Sequence, residues 1–191
     1  MKKIDIFDIC NKENVLAGKP MGRLLFSKLI QQIEHQAISE PLFLDFGRIH
    51  LATSSFFREA VLGFRDYCIK QQTNLIPVIA NANKVSLDEF LVVLETKGDA
   101  IVVCDLENDE VVRPRIIGVL EEKQALTLEA VLQEKETDAV RLEQKFREVE
   151  PIRTTSWNNR LVSLASKGIL IERKQGRLKL YRPILEVNYG Y

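Results

Sequence analysis

The sequence is short of the residues that do most enzymatic chemistry. Only two histidines, His35 and His50, occur in 191 residues, and three cysteines, Cys10, Cys68 and Cys104, stand far apart. The cysteines are odd in number and form no zinc-type pair, which argues against a metal site or a cysteine–histidine catalytic pair. Buried free thiols are the expectation for all three. No apolar run reaches the roughly 18–20 residues that cross a bilayer. The opening MKKIDIFDICNKEN starts with two lysines but alternates apolar and charged residues and has no apolar signal core. A cytoplasmic protein without a membrane partner is expected. There is also no long Gly/Ser/Pro linker, no internal repeat and no low-complexity stretch. Formal net charge is zero, so the chain as a whole favours neither acidic nor basic partners.

What is present is an ordinary globular composition, 46% apolar and 28% charged. Up to about residue 120, strand and helix signals alternate. KIDIFDI (3–9) alternates with period two, as a half-buried strand does. Residues 21–36 place Leu24, Leu25, Leu29, Ile30 and Ile33 on one helical face. PLFLDF (41–46) predicts a short strand, 56–72 a helix with Phe57, Val61, Phe64 and Cys68 at helical spacing, and NLIPVIA (74–80) a buried strand. Residues 86–98 predict a helix with Ser86 as N-cap, Glu89 completing a capping box, and Gly98 at its end. DAIVVCDL (99–106) and EVVRPRIIGVL (110–120) predict two strands joined by a turn at 107–109, the second confined to a sheet edge by Pro114. Such alternation predicts helices packed on a sheet, hence an α/β fold.

Beyond residue 120 the charge pattern changes. Residues 121–150 carry nine Asp or Glu against five Lys or Arg, whereas 151–183 carry eight basic residues and one acid, Glu172. This asymmetry places a domain boundary near residue 122, giving domains 1–121 and 122–191. In the second, Thr137 or Asp138 caps a short helix bearing Ala139, Leu142 and Phe146, and a turn follows at Pro151. A helix then starts at Thr154 or Thr155, turns Leu161, Leu164 and Ala165 inward, and is closed by Gly168. ILIERKQGRLKLYRP reads as a β-hairpin around 174–176, with Gly176 supplying positive φ. Trp157, the only tryptophan, reads as a core residue.

TTSWNNRLVSLASKGILIERKQGRLKLYRP resembles a winged helix-turn-helix, a small α+β domain. The resemblance implies that the second helix of the motif enters a DNA major groove and the hairpin wing touches the backbone or the minor groove. It would put Thr155, Ser156, Asn158, Asn159 and Arg160 on the DNA face, and Arg173, Lys174, Arg177 and Lys179 on the wing. The residue types suit that role, since Asn pairs bidentately with adenine, Arg with guanine, and lysines neutralise phosphate. The same helix could instead dock a protein.

LDFGRIHLATSSFF (44–57) runs from an apolar strand through a small-residue elbow towards a helix. It lacks the G-x-S-x-G pattern of a nucleophile elbow, and neither histidine follows the serines, so hydrolase chemistry is not expected. A hydroxyl of Thr53 or Ser54 capping the helix is one reading, a contribution of ~1 kcal/mol. Together with the Gly22–Arg23 helix start, Leu44–Asp45–Phe46, Ile49 and Thr53–Ser54–Ser55–Phe56 resemble the STAS-like family, relatives of anti-sigma factor antagonist domains. That resemblance implies a partner-docking surface at Thr53, Ser54, Phe56 and Arg58, and maps a phosphorylatable serine onto Ser55. Two positions depart from the family: Thr53 stands where an aspartate is usual, and Phe56 where a glycine follows the serine. Lys19 to Arg23 offers a weaker idea, an anion site at a helix start.

The expectation is a non-enzymatic, cofactor-free transcriptional regulator: a STAS-like sheet with helices packed on it, followed by a DNA-binding winged helix. Its expected partners are duplex DNA, a regulatory protein such as an ATPase-fold kinase, and a second copy of itself, since helix-turn-helix readers commonly pair half-sites. The alternative is a protein–protein adaptor of a partner-switching system.

Overall fold

Parallel pairing begins at the N-terminus. In the computed structural model, which describes residues 1–186, β1 (Lys2–Asp5), β3 (Glu40–Asp45), β5 (Leu75–Ala80) and β6 (Ala100–Glu107) lie side by side, all parallel. β7 (Glu110–Gly118) returns antiparallel along β6 and forms an edge, where Pro114 is tolerated. A two-residue parallel pair, β2 (Val15–Leu16) with β4 (Leu51–Ala52), sits apart. The described chain forms two compact units, one spanning Met1–Val119 and one starting at Leu120.

In the first unit the strands follow chain order in one direction, so right-handed crossovers put the connecting helices on the same face. These are α2 (Gly18–Gln32), α3 (Ser54–Phe57) continuing through a π-turn (Arg58–Leu62) into α4 (Gly63–Lys70), and α5 (Lys84–Lys97). Leu42, Leu44, Ile79, Ile101 and Val103 of the sheet meet Leu25, Leu29, Phe64, Phe90 and Leu94 of the helices. The π-turn widens the helix by one residue locally. Phe56, Phe57, Ala60, Val61, Leu62 and Phe64 are all fully buried along this run.

Local expectations fail where a polar side chain takes a different partner. The strand expected at 3–9 stops at Asp5, whose carboxylate accepts from the amides of Phe7 and Asp8 and caps the short α1 (Ile6–Ile9). α5 starts two residues before Ser86, because Asn83 is the cap and accepts from the Ser86 amide at 2.9 Å. Ser86 Oγ instead accepts from the Ala52 amide at 3.1 Å. Gly98 ends the helix at φ +60°, as its position predicts. Leu24, expected on the buried face of α2, is 53% exposed, and that face is formed by Gly22, Leu25 and Leu29. The β6–β7 turn has Asn108 and Asp109 at φ 51° and 62°, the left-handed geometry that matches strand twist.

The second unit comprises α6 (Glu122–Glu134), α7 (Ala139–Lys145), α8 (Thr154–Ser166), β8 (Leu170–Gln175) and β9 (Leu178–Pro183). Glu121 and Gln124 form a capping box on α6, and Asp138 caps α7. The hairpin turns at Gly176–Arg177, with Gly176 at φ +62°. Between α6 and α7, Thr137 pairs with Tyr181 through two backbone hydrogen bonds of 3.0 and 2.8 Å, so the loop adds a bridge to β9. Leu128, Val131, Leu142, Trp157, Leu161, Leu164, Ile171 and Tyr181 are buried. The whole is a mixed α/β structure with a mostly parallel sheet in its first unit.

Candidate nucleic-acid interface and the strand-to-helix elbow

Helix α8 divides its residues cleanly. Trp157, Leu161 and Leu164 recur at helical spacing on the buried face. Thr155, Ser156 and Asn159 are exposed on the other side, and Asn158 is half-buried. Arg160 does not join them. Its Nη2 donates to Glu150 at 2.7 Å, its guanidinium lies 5.6 Å from the Trp157 ring centroid, and its side chain is only 12% exposed. The position predicted to read a base is thus occupied by an internal ion pair. Arg153, just before α8, is exposed instead. The helix start is held by Glu143 of α7, which accepts from both the amide and the hydroxyl of Thr154. The Thr154 hydroxyl keeps the Glu143 carboxyl below the usual carboxylate range, helped by the Thr154 amide and the charges of Arg153 and Arg147. A carboxylate there also complements the positive end of the helix dipole.

On the hairpin, Lys174 of β8 stands directly opposite Lys179 of β9, with Arg177 in the turn between them. Two of the expected wing cations have acidic partners. Arg173 donates to Glu136 at 2.9 Å, and Lys179 lies 3.0 Å from Glu172. The Tyr181 hydroxyl also donates to Glu172, at 3.0 Å, and burial next to that carboxylate raises the tyrosine's pKa. Lys174 and Arg177 are exposed and make no ion pair among the described residues. Arg182, missed in the sequence, is exposed on β9.

The acidic stretch is largely consumed within this unit. Glu134 pairs with Lys145, Glu136 with Arg173, and Glu150 with Arg160, while Glu121, Asp138 and Glu143 serve helix starts. The opposed charges of 121–150 and 151–183 therefore cancel partly in space. Which cations stay free depends on acids up to 37 residues away, as for Arg173 and Glu136.

The elbow is built differently from a hydroxyl-capped helix start. Thr53 occupies the N-cap position, but its hydroxyl accepts from the Gly18 amide at 3.2 Å and meets Ser55 Oγ at 3.3 Å. The capping acceptor is Glu89 of α5, 2.8 Å from the Ser54 amide. Ser54 and Ser55 are half-buried. Phe56, expected in a docking surface, is fully buried, as is Phe57, which stacks on Phe90 with centroids 3.8 Å apart. Neither ring can dock a partner. Arg58 remains accessible at 41% and pairs with Glu59 at 3.3 Å.

The Lys19–Arg23 segment also proves to be helix packing. It lies inside α2, and Gly22 lets α2 approach the next helix so closely that a Cβ there would stand 2.8 Å from the Phe56 carbonyl oxygen. Arg23 reaches across to Glu59 at 3.2 Å.

The carboxyl ends of the parallel strands, where α/β sheets commonly bind ligands, are filled by the chain's own polar groups. Asp45 accepts from the Gly47 amide and Asn81 Nδ2, both at 2.9 Å, and Asn81 Oδ1 accepts from the Leu106 amide at 2.7 Å. Arg48 bridges Asp5 and Asp8. The three cysteines are free and buried, and burial pushes the thiols up to about 11 for Cys10 and Cys68 and about 12 for Cys104. Among the described residues no group of three or more His, Cys, Asp or Glu is placed to hold a metal ion, and no helix is long and apolar enough to cross a membrane. No protein-family model matches the chain, and no curated protein matches it.

Proposed function

We propose that the second unit is a winged helix-turn-helix that binds duplex DNA, and that the first is a STAS-like docking unit, making the chain a non-enzymatic transcriptional regulator. The observation that carries this reading is the hairpin tip. Like charges placed directly opposite on two strands destabilise a hairpin. Lys174 faces Lys179 across the ladder with Arg177 in the turn, and only Glu172 lies near enough to relieve one of them. A polyanion relieves the rest. The three helices, the Thr137–Tyr181 bridge and the hairpin follow the order of a winged helix. The exposed polar side of α8 supplies Thr155, Ser156 and Asn159 for base edges.

Arg153, Lys174, Arg177 and Arg182 are exposed and make no acidic ion pair among the described residues. If each neutralises one phosphate, the logarithm of affinity falls against the logarithm of salt with a slope of about −3.6, a loss of roughly 150-fold between 50 and 200 mM. Fluorescence anisotropy of the full chain on a mixed-sequence duplex measures this. K174A/R177A should reduce the slope by about 1.8. Undetectable binding at 50 mM salt sinks the DNA reading.

One observation favours the adaptor alternative. Val149, in the turn leading to α8, is 78% exposed, and Leu178 beside the hairpin turn is 52% exposed. If duplex binding fails, a protein partner seated on these residues becomes the better account. In the first unit, Thr53, Ser54 and Arg58 are the part of the docking surface that is not buried, and an ATPase-fold kinase is the partner that the STAS-like resemblance suggests. Phosphate on Ser55 would meet the Glu89 carboxylate already on the neighbouring amide, so docking without modification is preferred.

A further inference from the structure

Two carboxylates beside the hairpin are fixed in place from within. Glu136 precedes Thr137, whose two backbone hydrogen bonds to Tyr181 lock this loop to β9. Its carboxylate accepts from Arg173 Nη2 at 2.9 Å. Glu172 is held by the hydroxyl of Tyr181, a residue with no exposed surface, and its carboxylate faces Lys179 at 3.0 Å. One buried tyrosine thus anchors both acids, through its backbone on one side and its hydroxyl on the other. Neither ion pair is buried: side-chain exposures are 51% and 36% for Arg173 and Glu136, and 45% and 27% for Lys179 and Glu172. Pairs as exposed as these contribute little to folding, so stability alone is a poor account of anchoring both acids.

We propose that Glu136 and Glu172 are built-in competitors for phosphate, holding Arg173 and Lys179 in reserve and setting the affinity of the hairpin for polyanions. The proposal rests on the duplex-binding reading and adds its regulation. In the unmodified chain the free cations carry the contact. Neutralising the two carboxylates releases two more cations to the backbone of the nucleic acid, and so adds two counterions to those displaced on binding. Any event that draws these carboxylates away, such as a cationic segment of a partner, would tighten binding in the same way.

The test uses the full chain, a fluorescein-labelled mixed-sequence duplex of about two helical turns, and anisotropy titrations between 50 and 200 mM salt. The variants are E136Q, E172Q and the double variant, with E129Q as control. Glu129 is exposed on α6 with no ion pair among the described residues, so it removes the same charge without releasing a cation. Gln at 172 keeps an acceptor for the Tyr181 hydroxyl, and E136Q alone suffices should E172Q fail to fold. Each variant is expected to steepen the salt slope by about 0.9, and the double variant to bind roughly tenfold more tightly at 50 mM. E129Q should leave the slope unchanged. Wild-type binding with no change of slope in E136Q and the double variant overturns the proposal and leaves the duplex reading intact, as does an equal change in E129Q. Binding by the double variant alone supports the proposal, the wild-type hairpin then being fully masked. No binding by any form overturns both.

Discussion

Gly22 offers a sharp test of how closely the helices of the first unit approach. Replacing glycine by alanine inside a helix ordinarily stabilises by about 0.5–1 kcal/mol, because the unfolded chain loses freedom. At Gly22 the new methyl would stand 2.8 Å from the Phe56 carbonyl oxygen, 2.9 Å from Glu59 Cβ and 3.3 Å from Phe56 Cα. Two of those atoms are backbone, so relief requires α2 and the facing helix to separate. Overpacking of this kind costs about 1–3 kcal/mol, which exceeds the propensity gain. G22A should therefore lose about 1–2 kcal/mol. Gly63 is the internal control, for its added methyl would meet the Arg58 carbonyl oxygen and Phe26 Cδ2 at 3.8 Å, ordinary contact distances. G63A should gain about 0.5–1 kcal/mol. At roughly 4 °C per kcal/mol for a unit of this size, melting followed by circular dichroism separates the two variants by about 6–12 °C in opposite directions. Faster amide exchange across residues 54–62 in G22A would locate the loss. A G22A variant as stable as G63A would refute the close approach.

Other perturbations probe single contacts. D99N leaves Arg65, whose side chain is 6% exposed, without its closest carboxylate at 2.6 Å, and should cost about 3 kcal/mol in chemical denaturation. E89A removes the acceptor for the Ser54 amide, and should cost about 1 kcal/mol and speed exchange of that amide; unchanged exchange would show that Glu89 does not cap the elbow. G118A would place a methyl 2.3 Å from the Asp99 carbonyl oxygen at φ +101°, and loss of soluble folded protein is expected, read by expression and circular dichroism.

Elements governed by short-range patterns were legible from the sequence. The strands at 41–46, 74–80 and 99–106, the edge position of the proline strand, Gly98 as a helix stop and Trp157 as core all follow from periodicity or backbone chemistry. Expectations failed where one polar side chain had two partners within reach. Ser86 and Glu89 spell a capping box on paper, yet they serve Ala52 and Ser54, residues 34 and 35 positions away. Phe56 was expected in a docking surface through the STAS-like resemblance, yet both it and Phe57 are fully buried. The π-turn that follows them leaves no local composition signal. In the second unit the basic stretch was visible, but not that Arg160, Arg173 and Lys179 would be paired and Arg153 and Arg182 exposed. That distinction depends on folding an acidic segment against a basic one, which no window of sequence contains.

The placement of two scarce residue types gives the molecule natural reporters. All three thiols lie in the first unit and are at most 9% exposed, while the one tryptophan lies in the second and is 1% exposed. Unfolding of the first unit can be followed by the rate at which a maleimide consumes thiol, and that of the second by the red shift of indole emission. Neither signal requires an introduced residue. Coincident transitions would mean that the chain melts as one cooperative body, and separated ones that the two units unfold independently.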